Sequence, residues 1–392
     1  MITISDNTKA IKHSKIRDMF NRSLKYDNVI SFAIGEPDFT ASEEVVLAGC
    51  NAIIEGKSKY SENAGIMPLR MTISNYLYNE IGVEYDPISE ITVTTGAMCG
   101  IYQVLKVMLN PGDEVIVIEP YWTNYIQQII MCYGVPISIP ADTINGLQPD
   151  IKKIRSSVTN RTKAIIINSP CNPTGIVFSN EIIKSIAEIA KEKDIFIISD
   201  EVYKHIIFDN LQYKSIASFE DMKKRTLVVD SFSKTYAMTG WRVGYVAGPQ
   251  QIISNITKLQ ENITACVSMP SQYAAMAALN GTRNHLNMMI SCYKERRDYI
   301  SKRLESMPGV SYKKSSGTFY AFISIKGTGL SSEEFSIRLL EEKQVVVVPG
   351  TAFGNSGEGY IRISFATSME NIQKGMDLME EFIRGIKHVN KH

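Results

Sequence analysis

Histidine is scarce, five in 392 residues, so a site built on clustered imidazoles is thinly supplied. The six cysteines (Cys50, Cys99, Cys132, Cys171, Cys266 and Cys292) form no C-x-x-C pair and stand near no pair of histidines. That scatter argues against a zinc site and against a disulfide framework, and it fits free thiols in a reducing compartment. No metal is expected. An excess of one charge is missing too: 42 Lys and Arg face 41 Asp and Glu, a formal net charge of +1. The chain therefore has no general attraction for polyanions, and no nucleic-acid partner is expected. No apolar run approaches the ~20 residues needed to cross a bilayer, and the N-terminal stretch lacks the apolar core of a secretory signal. A cytoplasmic protein with no membrane partner is expected. Also absent are G-x-G-x-x-G after a strand, G-x-x-x-x-G-K-[ST] and H-E-x-x-H, which removes the common dinucleotide, P-loop and zinc-protease readings.

What is present is a long chain of ordinary composition, 44% hydrophobic and 21% charged, which excludes disorder and coiled coil. Its length suits two domains, or one large domain with an appendage. Short β-branched runs at 91–94, 114–118, 164–167, 195–199, 226–229 and 243–246 alternate with helical stretches such as 97–108, 180–191 and 251–265. Alternation of this kind is the α/β signature, and nearly continuous apolar runs read as strands covered on both faces. A long helix over 288–307 is expected to lead into a different pattern. There, strands at 319–323, 345–348 and 360–365 precede a last helix over 369–386. The expected organisation is a large α/β domain at 42–285 with a mainly parallel sheet flanked by helices. A smaller α+β domain would combine residues 286–392 with the N-terminal segment 1–41.

Open α/β sheets bind ligands where their strands end. Three successive predicted strands end in polar clusters: Asn168 to Gly175 reads NSPCNPTG, Ser199 to Tyr203 reads SDEVY, and Ser231 begins SFSKT. Taken singly, each has an ordinary reading: a turn, a helix cap and a solvated lysine. Together they supply an amide, a carboxylate with a phenol, and a lysine with hydroxyls. That inventory suits a pyridoxal phosphate site, where a lysine bonds the cofactor and a carboxylate faces its ring nitrogen.

With IGEPDF, VVPGTAFG and YIRISFA in the same order, these motifs resemble the fold type I, class I aminotransferases. The likeness is to the prokaryotic subgroup that includes aspartate and aromatic amino acid aminotransferases, and it runs from about Ile11 to the C-terminus. It implies pyridoxal 5′-phosphate as cofactor and Lys234 as the Schiff-base lysine and proton carrier. Asp200 is implied as the partner of the ring nitrogen, and Tyr203 and Asn172 as donors to the ring's phenolate oxygen. Ser231 and Arg242 match the phosphate ligands, with Ser233 beside them. Gly96, Ala97 and Met98 open a helix whose free N–H groups favour an anion. Trp122 matches the residue that stacks on the ring. Tyr60 matches a tyrosine that reaches the phosphate in a neighbouring subunit, which implies a homodimer. Arg362 lies in a strand-like run where a charge needs a partner, and it matches the clamp for the substrate α-carboxylate. Gly35, Trp122 and Asn172 join Arg362 around the substrate.

The resemblance implies amino transfer from an L-amino acid to a 2-oxo acid by a ping-pong route. An aspartate-type transaminase, or a β-lyase or decarboxylase on the same scaffold, is the alternative, because the same residues serve each outcome. A transcription regulator would need an added DNA-binding module, and a nicotinamide dehydrogenase would need the missing glycine fingerprint. Acid-specific aspartate enzymes of the subgroup carry lysine where this chain has Met98. The apolar, adaptable thioether favours an aromatic or other largely apolar donor. Lys15 is the expected replacement charge for a dicarboxylate partner.

Overall fold

A computed structural model of the chain describes residues 3–144 and 146–386. Strand β1 (Ile30–Ser31) precedes the main sheet. That sheet is built from β2 (Ile91–Thr94), β3 (Glu114–Glu119), β4 (Val135–Pro140), β5 (Thr162–Asn168), β6 (Phe196–Asp200), β7 (Thr226–Ser231) and β8 (Gly244–Ala247). The seven lie in the order β2-β8-β7-β6-β5-β3-β4, and only β8 runs antiparallel to its neighbours. Successive residues of each strand serve opposite faces. Ile116, Ile165 and Ile197 pack on one side with Ile183 and Ile186 of the Asn180–Glu192 helix. Val115, Ile166 and Ile198 pack on the other with Val104 of the Gly96–Met108 helix and Ile256 of the Gln250–Ile263 helix. Truncating one such buried isoleucine to alanine removes about 2–5 kcal/mol.

Edge strand β4 had no counterpart in the sequence reading. Its residues VPISIP carry prolines at 136 and 140 and are mostly solvent-facing, a composition tolerated only at a sheet edge.

The smaller sheet is antiparallel, ordered β12-β13-β10-β9, from β9 (Ser311–Tyr312), β10 (Tyr320–Ser324), β12 (Val348–Pro349) and β13 (Tyr360–Ser364). The single strand expected at 345–348 divides. β11 (Val345–Val346) pairs in parallel with β1, and the chain then changes partner so that β12 pairs with β13. Proline at 349 offers no ladder donor, so this strand stays short at the sheet's edge. Ile30 and Phe32 share one core cluster with Ile361, Ile363 and Met376, and Met19 and Ala33 share another with Phe322 and Phe353. The segment leading to Gly35 thus packs against residues of the smaller sheet and the last helix. The connecting helix, Asn284–Glu305, starts four residues earlier than the sequence pattern suggested. Among the described residues no helix is long and apolar enough to cross a membrane.

Candidate active site

Parallel pairing sets Asn168 of β5 beside Asp200 of β6, and β7 ends close by at Ser231. A cavity of about 600 Å³ opens at these strand ends, roofed by Ile34 to Glu36 of the N-terminal segment and walled by Tyr320 and Arg362 of the smaller sheet.

Asp200 forms part of the lining and is buried. Its Oδ2 accepts a 2.5 Å hydrogen bond from the Tyr125 hydroxyl, and its Oδ1 accepts from the Val202 N–H at 3.3 Å. Burial lifts its carboxyl to about 6, and the nearby carboxylates of Asp230 and Glu201 push the same way; the two donors pull back. Near neutral pH the site therefore holds an anion ready for a cationic partner. Asn168 donates to the Asp200 carbonyl at 3.1 Å and accepts the Asn172 N–H at 2.9 Å, so the two loops are tied together.

Lys234 sits in the four-residue helix Phe232–Thr235 that follows β7, with Ser231 as its N-cap. Its amine enters the same cavity and donates to the Gly35 carbonyl at 2.7 Å. Burial brings its pKa down to about 8; Glu36 opposes that shift, while Arg242 and Arg362 reinforce it. An amine so poised exchanges protons readily.

Beside it, Ser231, Ser233 and Arg242 line one corner together with Ala97 and Met98. Arg242 spends one guanidinium donor on the Thr239 carbonyl at 2.7 Å, and it has no carboxylate partner among the described residues. The Gly96–Met108 helix opens here, and its N-cap Thr95 makes no side-chain cap. Its first N–H groups therefore remain available for an anion. Gly96 does not itself line the cavity, yet it is required there: its φ is +76°, and a Cβ would fall 2.8 Å from Arg242 Nη2.

On the opposite wall Arg362 is buried, with Nη1 donating to Asn172 Oδ1 at 3.0 Å and Nη2 to the Ala33 carbonyl at 2.6 Å. Its Nε has no hydrogen-bond partner among the described residues, and its guanidinium lies 4.3 Å from the Tyr320 ring centroid. Desolvation lowers its pKa, which marks a cation short of anions. The Tyr203 hydroxyl pairs with that of Tyr320 at 3.0 Å, and burial raises both phenols, keeping them protonated donors. Trp122 lines the cavity and meets Tyr125 edge-to-face at 5.4 Å.

Gly35, Ala97, Met98, Trp122, Asn172, Asp200, Tyr203, Ser231, Ser233, Lys234, Arg242 and Arg362 thus surround one space. Tyr60 is not among them: it is 88% exposed on the surface of the single chain. Lys15 is not there either, contrary to expectation. Its amine is held outside by Glu333 at 3.3 Å and Thr351 at 3.1 Å. The cation of the Lys15–Ser23 helix that does line the cavity is Arg17, beside Ile16, with no carboxylate partner among the described residues. Tyr125, Tyr320 and Arg17 went unread in the sequence, and Asn168 was read only as the start of a polar strand end. Tyr125 lies three residues beyond Trp122, one helical turn, which was the available signal.

Residues 27–378 match the family described as aminotransferase class I and II. The chain is 39% identical to an aspartate aminotransferase of Pyrococcus horikoshii over 98% of each chain. It is 37% identical to aromatic-amino-acid aminotransferase 2 of Thermococcus litoralis, over 99% of this chain and all of that one. The structure of an aspartate aminotransferase from Rhizobium meliloti superposes with a TM-score of 0.95 at 32% identity, covering 99% of this chain and 100% of the other.

Proposed function

Because the chain belongs to the class I and II aminotransferase family, we propose that the cavity between Lys234, Asp200 and Arg362 is where it binds cofactor and substrate. The enzyme is a pyridoxal 5′-phosphate-dependent aminotransferase, moving an amino group from an L-amino acid to a 2-oxo acid in two half-reactions. The residues suit the cofactor. Arg242, two serine hydroxyls and an uncapped helix start offer a dianion its donors, and Gly96 leaves the room. Asp200 suits a cationic ring nitrogen, and the volume falls within the range of small-molecule sites.

Bound pyridoxal phosphate supplies a carbonyl for the amine and a ring that draws electrons from the α-carbon. With that group bound, Lys234 would take the proton from the substrate α-carbon and deliver it to the cofactor's C4′, a role that its depressed pKa supports. Asp200 keeps the ring nitrogen protonated. Tyr203 and Asn172 donate to the ring oxygen; the Asn172 Oδ1 is already occupied by Arg362, which leaves its NH₂ to donate. Arg362 holds the α-carboxylate, with the Gly35 backbone bordering it, and Trp122 covers the ring.

The donor we favour is aromatic or otherwise largely apolar. Met98, whose sulfur accepts from Asn124 at 3.6 Å, faces the cavity together with Ile16, Ile34 and Trp122, and none of these pairs a second carboxylate. Arg17 supports a dicarboxylic 2-oxo acid as acceptor in the same space, in keeping with relatives named for aspartate and for aromatic amino acids. A homodimer completes the site with Tyr60 from the second copy. The neighbouring Glu43–Ile54 helix, which leaves Leu47, Ile53 and Ile54 exposed, supports this arrangement. Six unpaired thiols suit work in the cytoplasm.

The observation that carries the reading is a half-buried lysine, its pKa brought down to about 8, sharing one cavity with a buried carboxylate and a buried arginine. Purified enzyme assayed with phenylalanine, tyrosine, leucine and aspartate against 2-oxoglutarate and pyruvate tests it. Aspartate well above the others in kcat/KM refutes the donor preference, and no keto acid from any donor refutes the site.

A further inference from the structure

Next to the strand ends that carry Asp200 and Ser231 lies a second group of buried charges that amino transfer does not use. Lys204, Glu201 and Asp230 are each no more than 4% exposed. Lysine is almost never buried this fully unless it is paired. Here the Nζ lies 2.8 Å from Asp230 Oδ2 and 3.9 Å from Glu201 Oε2.

Each carboxylate is one residue away from the cofactor machinery. Glu201 follows Asp200, its N–H bonds the Val229 carbonyl at 2.9 Å, and its Oε1 accepts from Ser199 at 3.0 Å and Ser215 at 2.5 Å. Asp230 precedes Ser231 and accepts the Ser231 N–H on Oδ1 at 2.7 Å and the Tyr245 hydroxyl on Oδ2 at 3.0 Å. Ser231 in turn caps the short helix bearing Lys234. One ammonium therefore bridges the turn after β6 and the end of β7. Buried ion pairs contribute little net stability, so their use is better sought in what they hold in place.

We propose that Lys204 is a positioning residue of the cofactor site, holding the turn after Asp200 against the strand end carrying Ser231 and offsetting the two carboxylates that flank Asp200. The proposal rests on the pyridoxal phosphate reading of the cavity. Around Asp200 stand Tyr125 from the Asn124–Met131 helix, Cys171 from the loop after β5 and Tyr203 from its own turn, none of them a cation. Lys234, still a cation at the pH where Asp200 titrates, faces it from across the cavity. Around Lys204 stand Glu80, the Tyr76 ring at 4.9 Å and His205, whose pKa burial lowers to about 3 and which is therefore neutral. Tyr85 and Tyr213, facing Glu201, are neutral phenols. Lys204 is thus the cation set against both flanking carboxylates. Burial is the larger cause of the raised Asp200 pKa, but those carboxylates both push the same way, so the balance of this cluster shifts the pH at which Asp200 becomes an anion.

Opposite substitutions should move that pH in opposite directions. Full-length holoprotein is diluted serially between about pH 5 and 9, and bound pyridoxal 5′-phosphate is read from its absorbance to give a dissociation constant at each pH. Lys204→Met should shift the midpoint, below which affinity falls, upward by about one unit. Asp230→Asn, whose amide oxygen still accepts the Ser231 N–H, should shift it downward, and the double variant should return it towards wild type. A merely structural role would weaken binding at every pH alike. Midpoints that stay put in folded variants, or move in the same direction, overturn the proposal while leaving the site reading intact. Should Lys204→Met not fold, the downward shift in Asp230→Asn and the midpoint of the double variant decide the matter. A wild-type protein that does not bind the cofactor overturns both.

Discussion

Tyr125→Phe removes a single oxygen and, with it, the 2.5 Å hydrogen bond to Asp200 Oδ2. A hydrogen bond to a charged group is worth about 1.5–3 kcal/mol, and one pKa unit corresponds to about 1.4 kcal/mol. The bond favours the ionised carboxylate, so losing it raises Asp200 by roughly one to two units, from about 6 to about 7–8. The free cofactor's own titrations are common to both proteins, so the ratio of the two dissociation constants isolates Asp200. With those pKa values the variant should bind pyridoxal phosphate about 5- to 50-fold more weakly at about pH 6. It should come close to parity at about pH 9, where Asp200 is ionised in both. Serial dilution of holoprotein with absorbance detection reads this ratio directly. A ratio that does not change with pH would mean that the tyrosine does not control the carboxylate.

Arg17→Ala should raise KM for 2-oxoglutarate about 2- to 5-fold, in line with the loss of one solvent-accessible ionic contact, and leave kcat/KM for phenylalanine nearly unchanged; equal losses for both would make Arg17 a structural residue only. Gly96→Ala combines a strained φ of +76° with a Cβ 2.8 Å from Arg242 Nη2, so cofactor affinity should fall by at least tenfold, measured as above. Wild-type affinity in that variant would remove Arg242 from the phosphate corner. Mixing Tyr60→Ala with Lys234→Ala chains should restore part of the activity absent from each alone, because a hybrid dimer carries one intact site; verified subunit exchange without activity contradicts the shared site.

The strand ends were legible because buried parallel strands are written as compact β-branched runs, and the polar residues that close them stand out. That is how Asn168 to Gly175, Asp200 and Ser231 to Lys234 are found in one register at one edge of the sheet. Strand β4 was not legible, since an exposed edge strand with two prolines lacks that apolar run. Tyr125 and Tyr320 were missed for another reason: an aromatic residue on a helix or strand face looks like core, and only the fold reveals that each hydroxyl meets a partner in the cavity. Charge alone does not tell which basic residue of the Lys15–Ser23 helix turns to the cavity, and it is Arg17, not Lys15, that lines the wall. The Lys204 cluster joins positions 201, 204 and 230, and no local pattern announces a pair formed between two strand ends.

The most direct test of amino transfer through Lys234 is a single half-reaction. Holoenzyme is mixed with excess L-phenylalanine and no acceptor. One equivalent of phenylpyruvate per site should form while the cofactor spectrum changes to that of its amine form, and adding 2-oxoglutarate should restore the original spectrum and release one equivalent of glutamate. Lys234→Ala should do neither at a measurable rate. Release of carbon dioxide or ammonia in place of a keto acid, or an unimpaired half-reaction in Lys234→Ala, would contradict the account.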